Sequence, residues 1–289
     1  MKKILSLIIC LILMFSINIP SSADVTTNSF VQLVHIEKDD TLSAQSVSFF
    51  LTLEEAVEKA QNGDVIEIFD NITVSSPILV QNGATLNIVS GTKREHSTIY
   101  GESAFEKTDQ NATKRTVKKD FSGTLFTLGK NSKVTFENII LDGNGKGGTK
   151  GGLIFAQSGA ELTVKRGVVF KNATLLDNSF GGAIFVENGA NVTVENTVFS
   201  GNTASCGKDI YLKHKTDVVL AKNVTANISL CGDMNGDFNV NLLDLVQIKK
   251  IFSNVPYATK ENCSPDINCD GKKDSSDIAE LILLILTFN

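Results

Sequence analysis

The sequence contains no tryptophan and only three tyrosines in 289 residues. This scarcity argues against a large aromatic platform for binding sugars, because Trp and Tyr rings supply such surfaces. The formal net charge of −5 argues against a nucleic-acid partner, which requires a basic surface. Beyond the N-terminus, no apolar run is long enough to span a membrane, since Leu281–Leu286 covers only six residues.

The N-terminus has the pattern of a secretory signal peptide. Lys2 and Lys3 precede an apolar run from Ile4 to Ile17, and small residues follow up to Ala23. We therefore predict cleavage after Ala23, so that residues 1–23 are the signal peptide, residues 24–47 form an N-terminal segment, and the mature protein is secreted. A retained membrane anchor is the alternative, although the apolar run is short for a membrane span.

Few cysteines are present. Cys10 lies within the signal peptide, and the mature chain retains Cys206, Cys231, Cys263 and Cys269. Export makes disulfides plausible, but four cysteines allow three complete pairings and the sequence does not select one; free thiols are the alternative. A zinc site is disfavoured, because the spacing lacks a Cys-x-x-Cys pair and nearby histidines.

The region between residues 48 and 228 is repetitive. Short alternating segments such as Val134–Phe136, Leu162–Val164 and Val192–Val194 are typical of strands, and they are separated by Asn-Gly or Ser-Gly turns. A period near 28 residues without helices predicts a solenoid in which each repeat is one coil. Two sets of repeated residues are predicted to be structural: an interior aromatic stack of Phe126, Phe155, Phe185 and Tyr211, and a ladder of Asn144, Asn172 and Asn202.

Both ends of this region and one internal segment differ from the repeat. Thr52–Glu55 is a capping box that predicts a short helix to Ala60, covering the open end of the sheet before a first clear strand at Asp64–Ile68. The segment from Lys93 to Asp120 is rich in charge and is predicted to be a loop. Its Lys114, Arg115, Lys118 and Lys119 are candidates for contact with an acidic polysaccharide; a solvated surface is the simpler interpretation.

The repeats resemble the right-handed parallel β-helix of pectate lyases and of bacterial surface adhesins. The resemblance implies either a polysaccharide lyase or glycoside hydrolase acting on a pectin-like substrate, or a noncatalytic adhesion module. Candidate cations are Lys165, Arg166 and Lys171, and candidate acids are Asp142 and Asp177. Asp142 aligns with Phe170 and Ser200 in the next coils, so no second carboxylate faces it and no catalytic centre can be named.

A twelve-residue pattern occurs twice near the C-terminus, at 233–244 and 266–277. Each copy places oxygen-bearing side chains at positions 1, 3, 5, 9 and 12 and adds a backbone carbonyl at position 7. Such a loop suits Ca²⁺, which takes six to eight oxygen ligands. The predicted metal ligands are Asp233, Asn235, Asp237, Asn239, Asn241 and Asp244 in the first loop, and Asp266, Asn268, Asp270, Lys272, Asp274 and Asp277 in the second.

Both copies end in Asp instead of the Glu of an ordinary EF-hand. This variant resembles the type I dockerin, a module that binds cohesin domains on cellulosome scaffolds, and the resemblance covers about residues 231–289 within a predicted domain at 229–289. It implies two Ca²⁺ ions. Phe238 occupies a position that usually needs Gly, which Gly271 keeps in the second loop. Because the first loop has three carboxylates and the second has four, we expect the second loop to bind Ca²⁺ more tightly.

The resemblance also implies which residues contact cohesin. Helices are predicted at Leu245–Phe252 and Ile278–Leu286, and the second is apolar on nearly every side, so part of its surface needs a partner. The contact residues implied by the family are Leu242, Leu243, Lys249 and Lys250 in one copy, and Ser275, Ser276, Ile282 and Leu283 in the other. The two sets differ in chemistry, so we expect them not to be interchangeable. A freely secreted calcium-binding protein without a scaffold is the alternative.

Overall fold

The computed structural model describes residues 31–37, 44–91, 113–148, 150–214, 218–255 and 264–288. The predicted signal peptide and Cys263 lie outside these residues. The described chain is mostly β-structure, with three helices: α1 (Leu53–Lys59), α2 (Leu242–Phe252) and α3 (Ser275–Phe288).

The strands form three sheets, and successive strands enter the sheets in turn. The first sheet, in spatial order, is β18 (Val218–Leu220), β15 (Asn191–Val194), β12 (Glu161–Val164), β9 (Lys133–Glu137), β6 (Thr85–Ser90), β3 (Asp64–Ile68), β1 (Val31–Glu37) and β2 (Ala44–Phe50). The second is β16 (Val198–Ser200), β13 (Val169–Lys171), β10 (Ile139–Asp142), β7 (Arg115–Lys119) and β4 (Ile72–Val74). The third is β19 (Ile228–Leu230), β17 (Ile210–Leu212), β14 (Ile184–Val186), β11 (Ile154–Ala156), β8 (Phe126–Leu128) and β5 (Ile78–Val80).

Neighbouring strands are parallel except around β1, which runs antiparallel to β2 and to β3. The predicted strands containing Val134, Leu162 and Val192 pair in register, as their alternation indicated. Two strands precede Asp64–Ile68, so the prediction that this is the first clear strand is wrong. Strand β2 also crosses the predicted boundary at residue 48.

Aliphatic residues fill the space enclosed by the sheets. On the third sheet Ile154, Ile184 and Ile210 lie in register and are fully buried in one large core that also includes residues of the other two sheets. Alternate residues of a strand point to opposite faces, so every second residue of these strands faces this core. Glycine permits the tight turn that leads into a strand of the third sheet. Gly181 has a φ of +66°, and a Cβ there would overlap the Ile184 carbonyl oxygen.

The predicted aromatic stack exists in part, but it lies on the other face of the third sheet. Phe155, Phe185 and Tyr211 are in register, with ring centroids 5.4 and 5.3 Å apart. They alternate with the inward isoleucines and belong to a second core shared with the C-terminal residues. Phe126 faces the first core and packs on Phe136 instead. The prediction of an interior stack of four rings is therefore wrong in two respects: three of the rings face away from the interior of the repeats, and Phe126 does not belong to the stack.

The asparagines do not form one continuous ladder. Asp142, Lys171 and Ser200 are partners across the second sheet. In this register Asn144 and Asn202 align with Ala173, so Asn172 lies one position too early to join them. The sequence alignment of Asp142 with Phe170 is thus wrong by one residue. Asn202 is buried and holds the chain by accepting from the Ala173 N–H and donating to the Phe170 carbonyl.

Helix α1 is confirmed, because the Thr52 side chain accepts a hydrogen bond from the Glu55 N–H at 3.2 Å. The predicted loop from Lys93 to Asp120 is wrong for Arg115–Lys119, which form β7; residues 92–112 lie outside the described range. Lys119 is fully buried and cannot contact a polysaccharide, whereas Lys114 and Lys118 are exposed.

The buried Lys119 ammonium is held by main-chain oxygens. Its Nζ donates to the carbonyls of Gly123 at 2.6 Å, Gly152 at 3.2 Å and Lys146 at 3.3 Å. Burial lowers the pKa of Lys119 from 10.5 to about 8. The unfolded chain keeps this proton up to the ordinary pKa, so between pH 8 and 10.5 it binds more protons than the folded chain. The free energy of unfolding gained from this group therefore rises with pH in that window.

We predict that the unfolding free energy of the natural protein rises relative to that of Lys119→Met by about 1–3 kcal/mol from neutral to alkaline pH. Denaturant titrations at a series of pH values measure it. Lys118→Met, on the same strand but exposed, is the matched control. A pH-independent difference for Lys119→Met would contradict the assignment.

Candidate metal centre and docking surface

The first loop is organised around two buried carboxylates, Asp233 and Asp244. Asp233 accepts hydrogen bonds from the backbone N–H groups of Gly236 at 2.7 Å, Asp237 at 3.1 Å and Phe238 at 2.9 Å. These bonds curl the chain around the carboxylate in the manner of an extended Asx turn. Position 1 therefore sets the shape of the loop as well as its charge.

Position 12 joins the loop to the helix that follows. Asp244 accepts from the N–H groups of Met234 at 2.9 Å, Asn235 at 3.1 Å and Asn241 at 2.8 Å. Asn241 is the N-cap of α2, and together with Asp244 it forms a capping box. Because the helix begins at Leu242 and not at the predicted Leu245, the short Asp side chain lies within its first turn and reaches back into the loop.

The second loop repeats the position-12 bonds in full and, at position 1, the bonds from positions 5 and 6. Asp266 accepts from the N–H groups of Asp270 and Gly271, both at 3.0 Å. Asp277 accepts from Ile267 at 2.7 Å, Asn268 at 3.3 Å and Asp274 at 2.9 Å. Helix α3 begins at Ser275, three residues before the predicted Ile278. Two loops of different sequence thus have one backbone architecture.

The remaining predicted side chains line the outer part of each loop. Asn235 donates to Asp237 at 3.0 Å, and Asn268 donates to Asp270 at 3.2 Å. At position 9, Asn241 and Asp274 accept from the N–H groups of Leu243 and Ser276, each at 2.8 Å. Asn239 and Lys272 lie at position 7, where each would supply its backbone carbonyl oxygen as the ligand, so the type of side chain does not matter there.

Electrostatics in the loops depends on burial and on crowding of like charges. Burial, aided by the charge of Asp233, raises the pKa of Asp244; burial together with the charges of Asp277 and Asp270 raises that of Asp266. Hydrogen bonds from the Ser276 hydroxyl and N–H lower the pKa of the exposed Asp274. A bound cation would relieve this repulsion between carboxylates.

The donor chemistry of both loops fits calcium. The side chains at positions 1, 3, 5, 9 and 12 of each loop carry carboxylate or amide oxygens, the ligand type that Ca²⁺ prefers, and none of these positions holds a sulfur or an imidazole. Across the described ranges, no group of three or more Asp, Glu, His or Cys side chains is arranged to hold a metal ion. An ion in either loop would therefore also require the amide of Asn235 or Asn268 and a main-chain carbonyl.

Three residues other than glycine have a left-handed backbone near the loops. Phe238 has a φ of 62°, as expected from its place at position 6, where Gly271 has 85°. At position 4 the arrangement is reversed: Gly236 has 72° in the first loop, and Cys269 has 59° in the second. Asn254, with a φ of 51°, follows α2. A left-handed residue with a side chain costs on the order of 1–2 kcal/mol.

The helices turn one side inward and the other to solvent. Ile248 and Leu281 are fully buried, whereas all eight residues expected to contact cohesin are exposed. The exposed apolar set comprises Leu242, Leu243, Val246, Ile282, Leu283 and Leu286. Val246 and Leu286 were not among the predicted contact residues. Their exposure on the same helices adds them to the apolar docking surface.

The inward side packs against the outer face of the third sheet, a contact that sequence analysis did not predict. Met234, Ile248, Ile267 and Leu281 share a core with Phe180, Phe185, Cys206 and Tyr211, which we term the junction core. Lys213 donates to the Ile267 carbonyl at 3.0 Å across this boundary. The outward aromatic residues of the repeats are thus covered by the C-terminal helices and loops.

The charged residues predicted on the repeats lie at two places. Lys165 and Arg166 pair with Glu137, at 3.8 and 3.5 Å, beside a groove of about 480 Å³ on the outer face of the first sheet. Lys171 pairs with Asp142 at 3.2 Å. Burial opposes ionisation of Asp142, but hydrogen bonds from Asn144 and Asn172 and the Lys171 charge lower its pKa. Asp177 is exposed.

The helices of the described ranges include none that is both long and apolar enough to cross a membrane. Neither the curated proteins nor the solved structures include a match to this chain. A family model does match: residues 231–286 correspond to the dockerin type I domain. The matched segment contains both loops, α2 and nearly all of α3. The chain therefore carries a dockerin type I domain at its C-terminus.

Proposed function

We propose that this chain is a secreted, scaffold-associated protein that docks onto a cohesin domain through its calcium-binding C-terminal region. In this proposal residues 48–228 form a right-handed parallel β-helix that binds or degrades cell-wall polysaccharide. The observation that carries the docking function is the pair of loops with equivalent hydrogen bonds to the position-12 aspartate, each followed by a helix whose predicted contact residues are exposed. The family match of residues 231–286 supports the same conclusion.

Each loop would hold one Ca²⁺ ion. The buried carboxylates at positions 1 and 12 are already positioned by backbone N–H groups, so binding requires little reorganisation of these two ligands. Each carboxylate has about four lone-pair sites, and the two or three N–H bonds that it accepts leave capacity for an ion. The ion neutralises the crowded carboxylates, and this couples calcium binding to the folding of the region.

We predict that the second loop binds Ca²⁺ more tightly, because it has four carboxylates where the first has three. Asp237→Ala and Asp270→Ala are a matched pair, since both residues occupy position 5 and both are exposed. Calorimetric titration should find the tighter site retained in Asp237→Ala and only the weaker site in Asp270→Ala. The opposite order would contradict the prediction.

The docking surface has two chemically different sides. Lys249 and Lys250 add positive charge to the exposed leucines of α2, whereas Ile282 and Leu283 of α3 adjoin the neutral Ser275 and Ser276. Apolar side chains at the centre of an interface supply most of its affinity, while exposed cations mainly affect orientation and association rate. A cohesin partner would therefore distinguish the two sides.

We predict unequal losses of affinity when the two sides are altered. Ile282→Ala with Leu283→Ala should weaken cohesin binding by roughly tenfold or more, and Lys249→Ala with Lys250→Ala by less, with the lysine effect fading as salt increases. Surface-immobilised cohesin and a salt series measure both. Equal losses at all salt concentrations would show that the two sides are interchangeable.

The groove on the first sheet is the place where the repeats would bind a sugar polymer. Its lining includes Lys114, Lys165 and Arg166, together with the polar side chains Asn87 and Thr135. Several cations beside amide and hydroxyl groups suit a polysaccharide that carries carboxylates. The competing proposal is a noncatalytic adhesion module. Asp142 favours it because its carboxylate pairs with Lys171, and its partners on the two adjacent strands are Lys171 and Lys118, neither of which is an acid.

We predict that Lys165→Ala with Arg166→Ala weakens binding of an acidic polysaccharide such as polygalacturonate by roughly tenfold at low salt, because two cations are removed from the groove. Affinity electrophoresis across a polysaccharide panel measures the retention. Lys133→Ala, also exposed on the first sheet and paired with Glu161, is the matched control. Unchanged retention would remove the groove from the proposal, and release of unsaturated products absorbing in the ultraviolet would favour the enzyme over the adhesin.

A further inference from the structure

Two cysteines from distant parts of the sequence meet at the junction core. Cys231 precedes the first calcium loop and is 2% exposed, and Cys269 is at position 4 of the second loop and is partly accessible. Both sulfurs contact one carbonyl: Cys231 Sγ is 3.4 Å and Cys269 Sγ 3.8 Å from the Ile267 oxygen. The two thiols are therefore near neighbours in the folded protein.

The same two thiols also share their other polar neighbours. Tyr211 Oη lies 3.9 Å from Cys269 Sγ and interacts with Cys231 as well. Lys213 Nζ lies 3.9 Å from Cys231 Sγ and interacts with Cys269. Three groups, namely one carbonyl, one phenol and one ammonium, thus hold the two sulfurs on the same side of the third sheet.

The backbone gives an independent reason to assign a role to Cys269. Its φ of 59° is left-handed, and the equivalent residue of the first loop is Gly236, which adopts such a conformation without strain. A cysteine at this position is strained relative to the preferred right-handed or extended backbone. Strain of this kind is characteristic of positions that have a specific function.

We propose that Cys231 and Cys269 form a disulfide that fastens the second calcium loop to the segment entering the first. Each thiol loses one proton and one electron as the Sγ–Sγ bond forms. A disulfide-bearing oxidant of the cell exterior accepts the two protons and two electrons, and its own S–S bond breaks to give two thiols. The sulfurs have to turn toward each other from their shared carbonyl to reach the bond length of about 2 Å. Cys269 is the sulfur that the oxidant reaches first, because Cys231 is buried.

Such a bond would secure the dockerin when calcium is scarce. It closes a ring of about forty residues that contains the first loop, α2 and the first four residues of the second loop. For a ring of this size the loop-closure relation predicts a shift of the folding equilibrium by roughly 10²–10³-fold. The loops that contain the repelling carboxylates would remain folded at calcium concentrations too low to keep the reduced form folded. The cross-link therefore adds a redox contribution to the calcium dependence of docking.

The direct test uses the full chain with calcium in a glutathione redox mixture, followed by trapping of thiols, digestion and non-reducing mass spectrometry. We expect a peptide pair joined through Cys231 and Cys269, two hydrogen atoms lighter than the separate peptides. Cys206→Ser is the matched control and should retain this pair, because its thiol is buried in the same core. Pairing of either cysteine with Cys206 or Cys263, or two persisting thiols, would overturn the proposal.

A second test separates the cross-link from ordinary packing. Cys269→Gly restores the residue type of the first loop and relieves the backbone strain, so under reducing conditions it should be at least as stable as the natural protein. Under oxidising conditions with a chelator, the natural protein should keep its folded tail where Cys269→Gly loses it, as followed by circular dichroism. An equal difference between the two proteins under both conditions would assign Cys269 to packing alone and refute the disulfide.

Discussion

The structure depends most on the packing of the C-terminal helices against the outer face of the third sheet. Phe155, Phe185 and Tyr211 form an aromatic row that would otherwise expose a large apolar patch to water. Ile248 and Leu281 cover it and become fully buried themselves. At about 25 cal/mol per Å² of buried apolar surface, this contact is a major contribution to the stability of the dockerin. Neither surface would be well hidden without the other.

This packing explains how a small module can tolerate concentrated negative charge. Each loop buries the carboxylates of positions 1 and 12, and burial of like charges is unfavourable without a cation. Backbone N–H groups compensate part of this cost, and the junction core fixes the loop on its inner side through Ile267. The remaining repulsion is what a bound Ca²⁺ ion would relieve, and this would couple the proposed binding to folding.

Much of this arrangement could be predicted from local pattern. The repeat predicted strands that pair in register, Thr52 predicted α1, and the twelve-residue spacing predicted two loops that share most of their backbone hydrogen bonds. What failed depends on contacts between distant residues. A period-two pattern cannot tell which face of Phe185 is covered, because the cover comes from residues about 60 to 100 positions later. The burial of Lys119 likewise depends on three carbonyls that sequence does not place together.

The junction core also sets the geometry between binding surfaces. Residues that α2 and α3 turn inward are held by the third sheet, so the leucines they turn outward have a defined direction relative to the repeats. The groove with Lys165 and Arg166 lies on the first sheet, on a different face. A partner bound to Leu283 would thus leave that groove uncovered. A dockerin on a flexible linker would leave the repeats in many orientations relative to its partner. Packing on the neighbouring sheet restricts the repeats to one orientation, and under the proposed function this would favour access to an extended polymer while the protein is docked.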